Sequence, residues 1–88
     1  MANHKDALKR MRQNVVRRAR NRHYRSRMRN QIKRLRAVIE DGDHATAMTE
    51  LSKAVSIIQR NVSKGVIHRN QAARRIARLN KAVKGLAS

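Results

Sequence analysis

Apolar residues recur over the first two-fifths of the chain at Leu8, Met11, Val15 and Ala19, then at Met28, Ile32, Leu35 and Ile39. Steps of three and four predict a helix over about 5–41. Met48, Leu51, Val55, Ile58 and Val62 repeat at steps of 3, 4, 3, 4, and Ala72, Ile76, Leu79, Val83 and Leu86 at 4, 3, 4, 3. These stripes predict a second helix over about 44–64 and a third over about 68–85.

The chain has no Pro, and its glycines at 42, 65 and 85 mark the stops. Gly42 suits a left-handed cap ending the first helix, and Asp43 suits the N-cap of the second, where its carboxylate accepts from unpaired amides and faces the positive end of the dipole. Lys64-Gly65 ends the second helix, Val66-Ile67-His68 is a short connection, and Gly85 marks where the third should fray. Short connections favour antiparallel neighbours, so the predicted fold class is all-α, a three-helix bundle forming a single domain over 1–88. The lengths do not match: the first helix would run roughly 50 Å and the others roughly 30 Å. The bundle can bury Met28, Ile32, Leu35 and Ile39, but Leu8 to Ala19 lie beyond its reach, on a first helix that extends past the bundle.

Composition narrows the core and the class. A chain of 88 residues buries only somewhat over 60% of its unfolded surface. With no Phe or Trp and one Tyr, the core is built from Leu, Ile, Val, Met and Ala. The absence of Cys removes disulfides and thiolate ligands. Apolar runs reach three residues, as at Ala37-Val38-Ile39, against the roughly 20 needed to cross a bilayer. A secretory signal would need a continuous apolar stretch of about 7 or more residues near the start, whereas Arg and Lys interrupt Leu8 to Arg20 throughout. A mitochondrial transit peptide would share the Arg-rich, acid-poor composition, but here the basic segment runs directly into a patterned helix.

Charge decides the partner. Fourteen of the first 36 residues are Lys or Arg against one acid, Asp6 (net +13); residues 37–63 carry two bases against four acids (−2); residues 64–88 carry seven bases and no acid (+7); the sum is the net +18. So one-sided a block repels itself until a polyanion neutralises it, nucleic acid first and a membrane surface second. Arg10, Arg12, Arg17, Arg18, Arg20, Arg22, Arg25, Arg27 and Arg29, at 100° per residue, surround the first helix. Repulsion among cations three and four apart costs a few tenths of a kcal/mol per pair. The free segment is therefore expected to be frayed and to become helix when phosphates surround it.

Single-strand binders stack bases on aromatic rings, and this chain offers only Tyr24. It has no RNP motif, Gly-x-x-Gly loop, Walker sequence or Cys/His finger. Phosphate and shape recognition of folded nucleic acid remains, supported by sixteen Arg against seven Lys, since guanidinium forks bind phosphate oxygens in pairs. Asn and Gln among the bases, and His4, His23 and His68, are further candidates for RNA contact. No two His fall at i, i+3 or i+4, so no helical metal site is supported. Four of the five carboxylates lie between Glu40 and Glu50, where capping and solvation explain them; no nucleophile motif accompanies them, and an enzyme is the weakest class.

The stretch Lys64-Gly65-Val66-Ile67-His68-Arg69-Asn70-Gln71-Ala72-Ala73-Arg74 resembles a signature of the bacterial small-subunit ribosomal protein S-twenty family. Met1-Ala2-Asn3 with Lys5 and Lys9-Arg10, Arg25-Ser26 followed by Ile32-Lys33-Arg34, and Glu40-Asp41-Gly42-Asp43 match in the expected order, so the resemblance covers nearly the whole chain. It departs at Asp6, at Asn30, where Thr is frequent, and at Val15-Val16, in a stretch often more polar. The resemblance implies a cytoplasmic, ribosomal, non-catalytic protein without cofactor. It implies direct binding of 16S ribosomal RNA within the 30S subunit, the long first helix penetrating the RNA, with neighbouring ribosomal proteins as further partners and no homo-oligomer; a plastid ribosome fits the same residues. Charge and resemblance together assign RNA contact to Lys5, Lys9, Arg10, Arg12, Arg17, Arg18, Arg20, Arg22, Arg25, Ser26, Arg27, Arg29, Lys33 and Arg34 on the first helix, and to Lys64, His68, Arg69, Asn70, Arg74, Arg75 and Arg78 beyond it.

Two rival classes remain. A chromosome-coating, histone-like protein shares the charge but usually needs dimerisation or a wedge residue to bend DNA. A membrane-surface peptide needs a basic face opposite an apolar one, whereas Arg surrounds this helix.

Overall fold

The computed structural model describes residues 4–87, so the Met1-Ala2-Asn3 part of the resemblance lies outside the described residues. Three helices follow in order, α1 His4–Asp41, α2 His44–Ser63 and α3 Arg69–Ala87. α3 continues through Gly85 to Ala87 instead of ending at 85, and His68 stands just outside it.

Local chemistry makes both turns. Gly42 has φ +79° and its amide bonds Ile39 O at 3.0 Å. Asp43, extended, caps α2 by accepting from Thr46 N at 3.1 Å and from the Thr46 hydroxyl. α2 ends in a Schellman motif: Gly65, at φ +73°, bonds Val62 O at 3.0 Å, Val66 N bonds Asn61 O at 2.9 Å, and the Val66 side chain is buried beneath the turn. His68 then caps α3, its Nδ1 accepting from Asn70 N at 3.1 Å while its carbonyl accepts from Ala72 N at 3.1 Å.

α1 and α2 are antiparallel, since Arg20 reaches Lys64, Tyr24 meets Asn61 and Gln31 meets Glu50. α2 is the central helix, packed on both others, and α1 touches α3 more thinly. The core joins Met28 and Leu35 of α1, Ala47, Leu51, Ala54 and Ile58 of α2, and Ala72, Leu79 and Val83 of α3. The expected α2 stripe is displaced by one position at two places: Met48 is 48% exposed, and Ala47 and Ala54 take the seam in place of Met48 and Val55. Small side chains let the central helix approach two neighbours at once, while Val55 and Val62 stay half-buried at the edge.

Beyond Arg20 towards the N-terminus, α1 has no neighbour. The sixteen residues from His4 to Ala19 are all exposed, an overhang of about 24 Å. The molecule measures 65 × 20 × 14 Å with a radius of gyration of 17.6 Å, against about 12 Å for a compact chain of this length. α1 is helical from His4 onward, where charge repulsion led to an expectation of fraying in the free segment. Ala7, Leu8, Lys9, Arg10, Met11, Arg12 and Gln13 are all strong helix formers, and Asp6 lies in the first turn. Their summed propensity opposes a repulsion of a few tenths of a kcal/mol per pair.

The two apolar stripes of α1 do not share a face. Nine residues separate Ala19 from Met28; at about 100° per residue that is half a turn beyond whole turns. Met28 and Leu35 are buried in the bundle, whereas Leu8, Met11 and Val15 are exposed and, at about 100° per residue, lie about 160°, 100° and 140° round the helix from Met28.

Candidate nucleic-acid interface

α1 and α3 enclose a groove whose cations come from two distant parts of the chain. At one end, about 270 Å³ is lined by Ile32 and Arg36 of α1 and by Gln71, Arg74, Arg75, Arg78 and Leu79 of α3. Gln71 and Arg75 continue into a second hollow with Arg25, Met28, Arg29, Val66 and Ile67. Arg25 and Arg29 continue in turn into a third, with Arg18, Asn21, Arg22 and Ser26. The result is one track carrying Arg18, Arg22, Arg25, Arg29, Arg36, Arg74, Arg75 and Arg78, with no carboxylate in its lining among the described residues. Asn21 Oδ1 and Arg75 Nε are buried there without a hydrogen-bond partner.

Like charges crowded without counter-charge raise the energy of the free protein and lower it when an anion enters. Guanidinium groups from two helices facing one groove suit the oxygens of successive phosphates. Metal chemistry is a poor match to such a lining, and no group of three or more His, Asp or Glu that could hold a metal ion occurs among the described residues. No helix among the described residues is long and apolar enough to cross a membrane.

The other flank of α1 has a different character. Arg27, Asn30 and Arg34 face Lys53, Ser56, Ile57 and Arg60 of α2 across a wider hollow of about 490 Å³. Gln31 at its floor donates from Nε2 to Glu50 O at 3.1 Å and to Glu50 Oε2 at 2.6 Å, and Lys53 Nζ lies 3.5 Å from Glu50 Oε1. The Gln31 bond and, after it, the Lys53 charge hold the Glu50 carboxyl below its ordinary range, against the opposing effect of desolvation. This flank is therefore partly neutralised, and the α1–α3 groove is not.

The assigned residues separate into groups. Arg25, Arg29, Arg74, Arg75 and Arg78 come together in the α1–α3 groove, and Arg18, Arg22 and Ser26 line the hollow on α1 that continues it. Lys5, Lys9, Arg10, Arg12 and Arg17 stay on the overhang, and Lys33 is exposed on α1. Arg27 and Arg34 lie on the α2 flank. Arg20 Nη2 donates to Lys64 O at 3.4 Å, so its guanidinium meets the negative end of α2 as well as solvent. Lys64, Arg69 and Asn70 are exposed at the α2–α3 turn, and His68 spends Nδ1 on capping. The signature stretch thus combines a turn and a cap, at Gly65 and His68, with exposed polar and cationic side chains. Arg36, absent from the expected set, belongs to the groove; its spacing of eleven from Arg25 and seven from Arg29 places all three on one helical face.

The family model described as Ribosomal protein S20 matches residues 2–84. The chain is 51% identical over 86 residues to the small ribosomal subunit protein bS20 of Syntrophobacter fumaroxidans, covering 98% of this chain and 100% of that one. It is 53% identical over 87 residues to bS20 of Magnetococcus marinus, covering 99% and 95%, and 48% identical over 87 residues to bS20 of Desulfatibacillum aliphaticivorans, covering 99% of both. Matched end to end and folded as a helical bundle with a cationic overhang, the chain belongs to the ribosomal protein S20 family.

Proposed function

We propose that this chain is a non-catalytic structural constituent of the small ribosomal subunit in the cytoplasm, binding 16S ribosomal RNA directly and stabilising the subunit as it assembles. Its three helices act as one rRNA-binding domain. The observation that carries this reading is the arginine track without carboxylates between α1 and α3, continuous with an overhang unsupported by its own fold. A bundle alone would bind across a surface; an overhang cationic on all sides is suited to insertion between RNA helices. The groove residues, the overhang cations Lys5, Lys9, Arg10, Arg12 and Arg17, and the turn residues Lys64, Arg69 and Asn70 hold phosphates and 2′-hydroxyls without reading bases. Neighbouring ribosomal proteins are secondary partners, and the net charge of +18 opposes self-association.

Competition across a salt series tests this. Folded 16S RNA should displace the protein from random duplex DNA even at raised salt, and affinity should fall by several powers of the salt concentration if roughly 6 to 10 phosphates are engaged. Equal affinity for both polymers would sink the ribosomal reading in favour of a chromosome-coating one. A flat salt response would sink the phosphate mechanism.

A further inference from the structure

The stripe on the far side of the overhang has no role in the bundle. Leu8, Met11 and Val15 are 45%, 62% and 64% exposed, and at about 100° per residue they lie about 100° to 160° round the helix from Met28, off the seam that it shares with Leu35. Measured from Val15, Leu8, Met11 and Ala19 fall within about 40° of one line, and Arg12 and Arg18 stand about 60° to either side of it. Arg22, seven residues on from Val15, closes the stripe towards the bundle. The overhang therefore presents a narrow apolar ridge with guanidinium groups on both banks.

Those banks decide what covers the ridge. A second copy would bring the same cations against one another on a molecule of net charge +18. A few side chains on one helix also fall far short of the roughly 800 Å² per partner of a stable protein interface. A lipid surface needs the cations confined to the face opposite the ridge, and they surround it. The minor groove of an RNA duplex is wide and shallow, with base edges at its floor, riboses and their 2′-hydroxyls along its sides, and a phosphate backbone bordering it on each side. Its cross-section is complementary to a ridge of aliphatic groups flanked by arginines.

Resting on the RNA-binding reading above, we propose that the overhang lies along an RNA minor groove, with Leu8, Met11 and Val15 against ribose faces and Arg12 and Arg18 on the phosphates of the two strands. The overhang is then oriented about its own axis, which charge alone on a helix surrounded by arginine would not achieve.

The test uses the full chain carrying Leu8→Gln, Met11→Gln and Val15→Gln, with a 16S RNA transcript as probe. These changes leave charge and helix propensity almost unaltered and touch nothing in the bundle, which an unchanged thermal midpoint would verify. Affinity should fall roughly tenfold or more through lost apolar contact, with the salt slope unchanged. One patch of ribose protection from hydroxyl radicals should disappear. The companion Arg12→Gln, Arg18→Gln variant should instead lower the slope by about 2. Unaltered affinity and protection in the glutamine variant overturn the inference. So does a wild-type chain that sediments as a dimer when the glutamine variant is a monomer, which assigns the ridge to a second copy. A wild type without salt-dependent affinity for the transcript overturns the RNA reading itself, an outcome distinct because the arginine variant would then also have no effect.

Discussion

The side-chain amide of Asn61, with no solvent exposure, donates across the α1–α2 seam to the backbone carbonyl of Tyr24 at 3.3 Å. The same nitrogen lies 3.3 Å from Met28 Sδ, and Asn61 Oδ1 has no partner. Tyr24 O already accepts within α1 as a helical carbonyl, so losing the Asn61 bond leaves no orphan on that side. A net gain of about 0.5 to 1.5 kcal/mol from the bond is then set against a desolvated oxygen costing about 1 to 3 kcal/mol.

Asn61→Leu, similar in shape, is therefore expected to change stability by less than about 1 kcal/mol. Asn61→Ala, which opens a cavity, should cost about 1 to 2 kcal/mol. Thermal or urea unfolding of the three chains checks this. A Leu variant destabilised by more than the Ala variant would mean that Oδ1 is satisfied and the polar seam is stabilising outright.

Acid should weaken the bundle through two carboxylates. The Thr46 side-chain bond, followed by its backbone bond, holds the Asp43 carboxyl below its ordinary 3.8, and Gln31 with Lys53 holds Glu50 below 4.5. Folded values below unfolded ones mean that the contribution is complete above the unfolded values and is lost as pH falls through the folded ones. The thermal midpoint should hold down to about pH 5 and then decline. Asp43→Asn with Glu50→Gln should flatten that decline, starting from a lower midpoint at pH 7. A wild-type midpoint that stays level to pH 3 would contradict the assignment.

Within the Lys64 to Arg74 stretch, Gly65 and His68 serve the fold. Gly65 sits at φ +73° with open space where a Cβ would stand. Gly65→Ala thus pays only the left-handed backbone penalty, about 1 to 2 kcal/mol. His68→Ala removes the α3 cap and should cost about 1 kcal/mol. Both variants should leave the salt slope of RNA binding unchanged. A slope reduced by a whole unit in His68→Ala would show that the imidazole binds phosphate as well as capping.

How much of this was legible depends on whether the cause was local. Gly42, Asp43 and Gly65 act within a few residues of themselves, so the turns could be read directly from the sequence. The seam could not: Ala47 and Met48 are adjacent apolar residues, and which one enters the core depends on how closely the helices cross. The half-turn between Ala19 and Met28 is written in the spacing, but its meaning appears only once the seam is known. The overhang followed from unequal helix lengths alone. The groove did not, because Arg25 and Arg75 are fifty residues apart and only the packing of α3 beside α1 brings them together. Arg36 was recoverable in principle from its face with Arg25 and Arg29.

Arg75 separates binding from folding most cleanly. Its Nε is buried without a partner among Arg25, Arg29, Arg74 and Arg78. In the free protein it contributes an unsatisfied donor, a penalty of about 1 to 3 kcal/mol, and adds repulsion from its neighbours. If the groove takes RNA as proposed, the same group meets phosphate in the complex. Arg75→Met keeps the unbranched stem and removes the charge, so it should raise the unfolding free energy by about 1 kcal/mol. It should also weaken binding to 16S RNA and lower the salt slope by about 1. Opposite signs on the two measurements distinguish a binding arginine from a structural one. If Arg75→Met lowers both stability and affinity, the guanidinium is part of the α1–α3 packing, and the anion-binding role passes to Arg74 and Arg78 on the same wall.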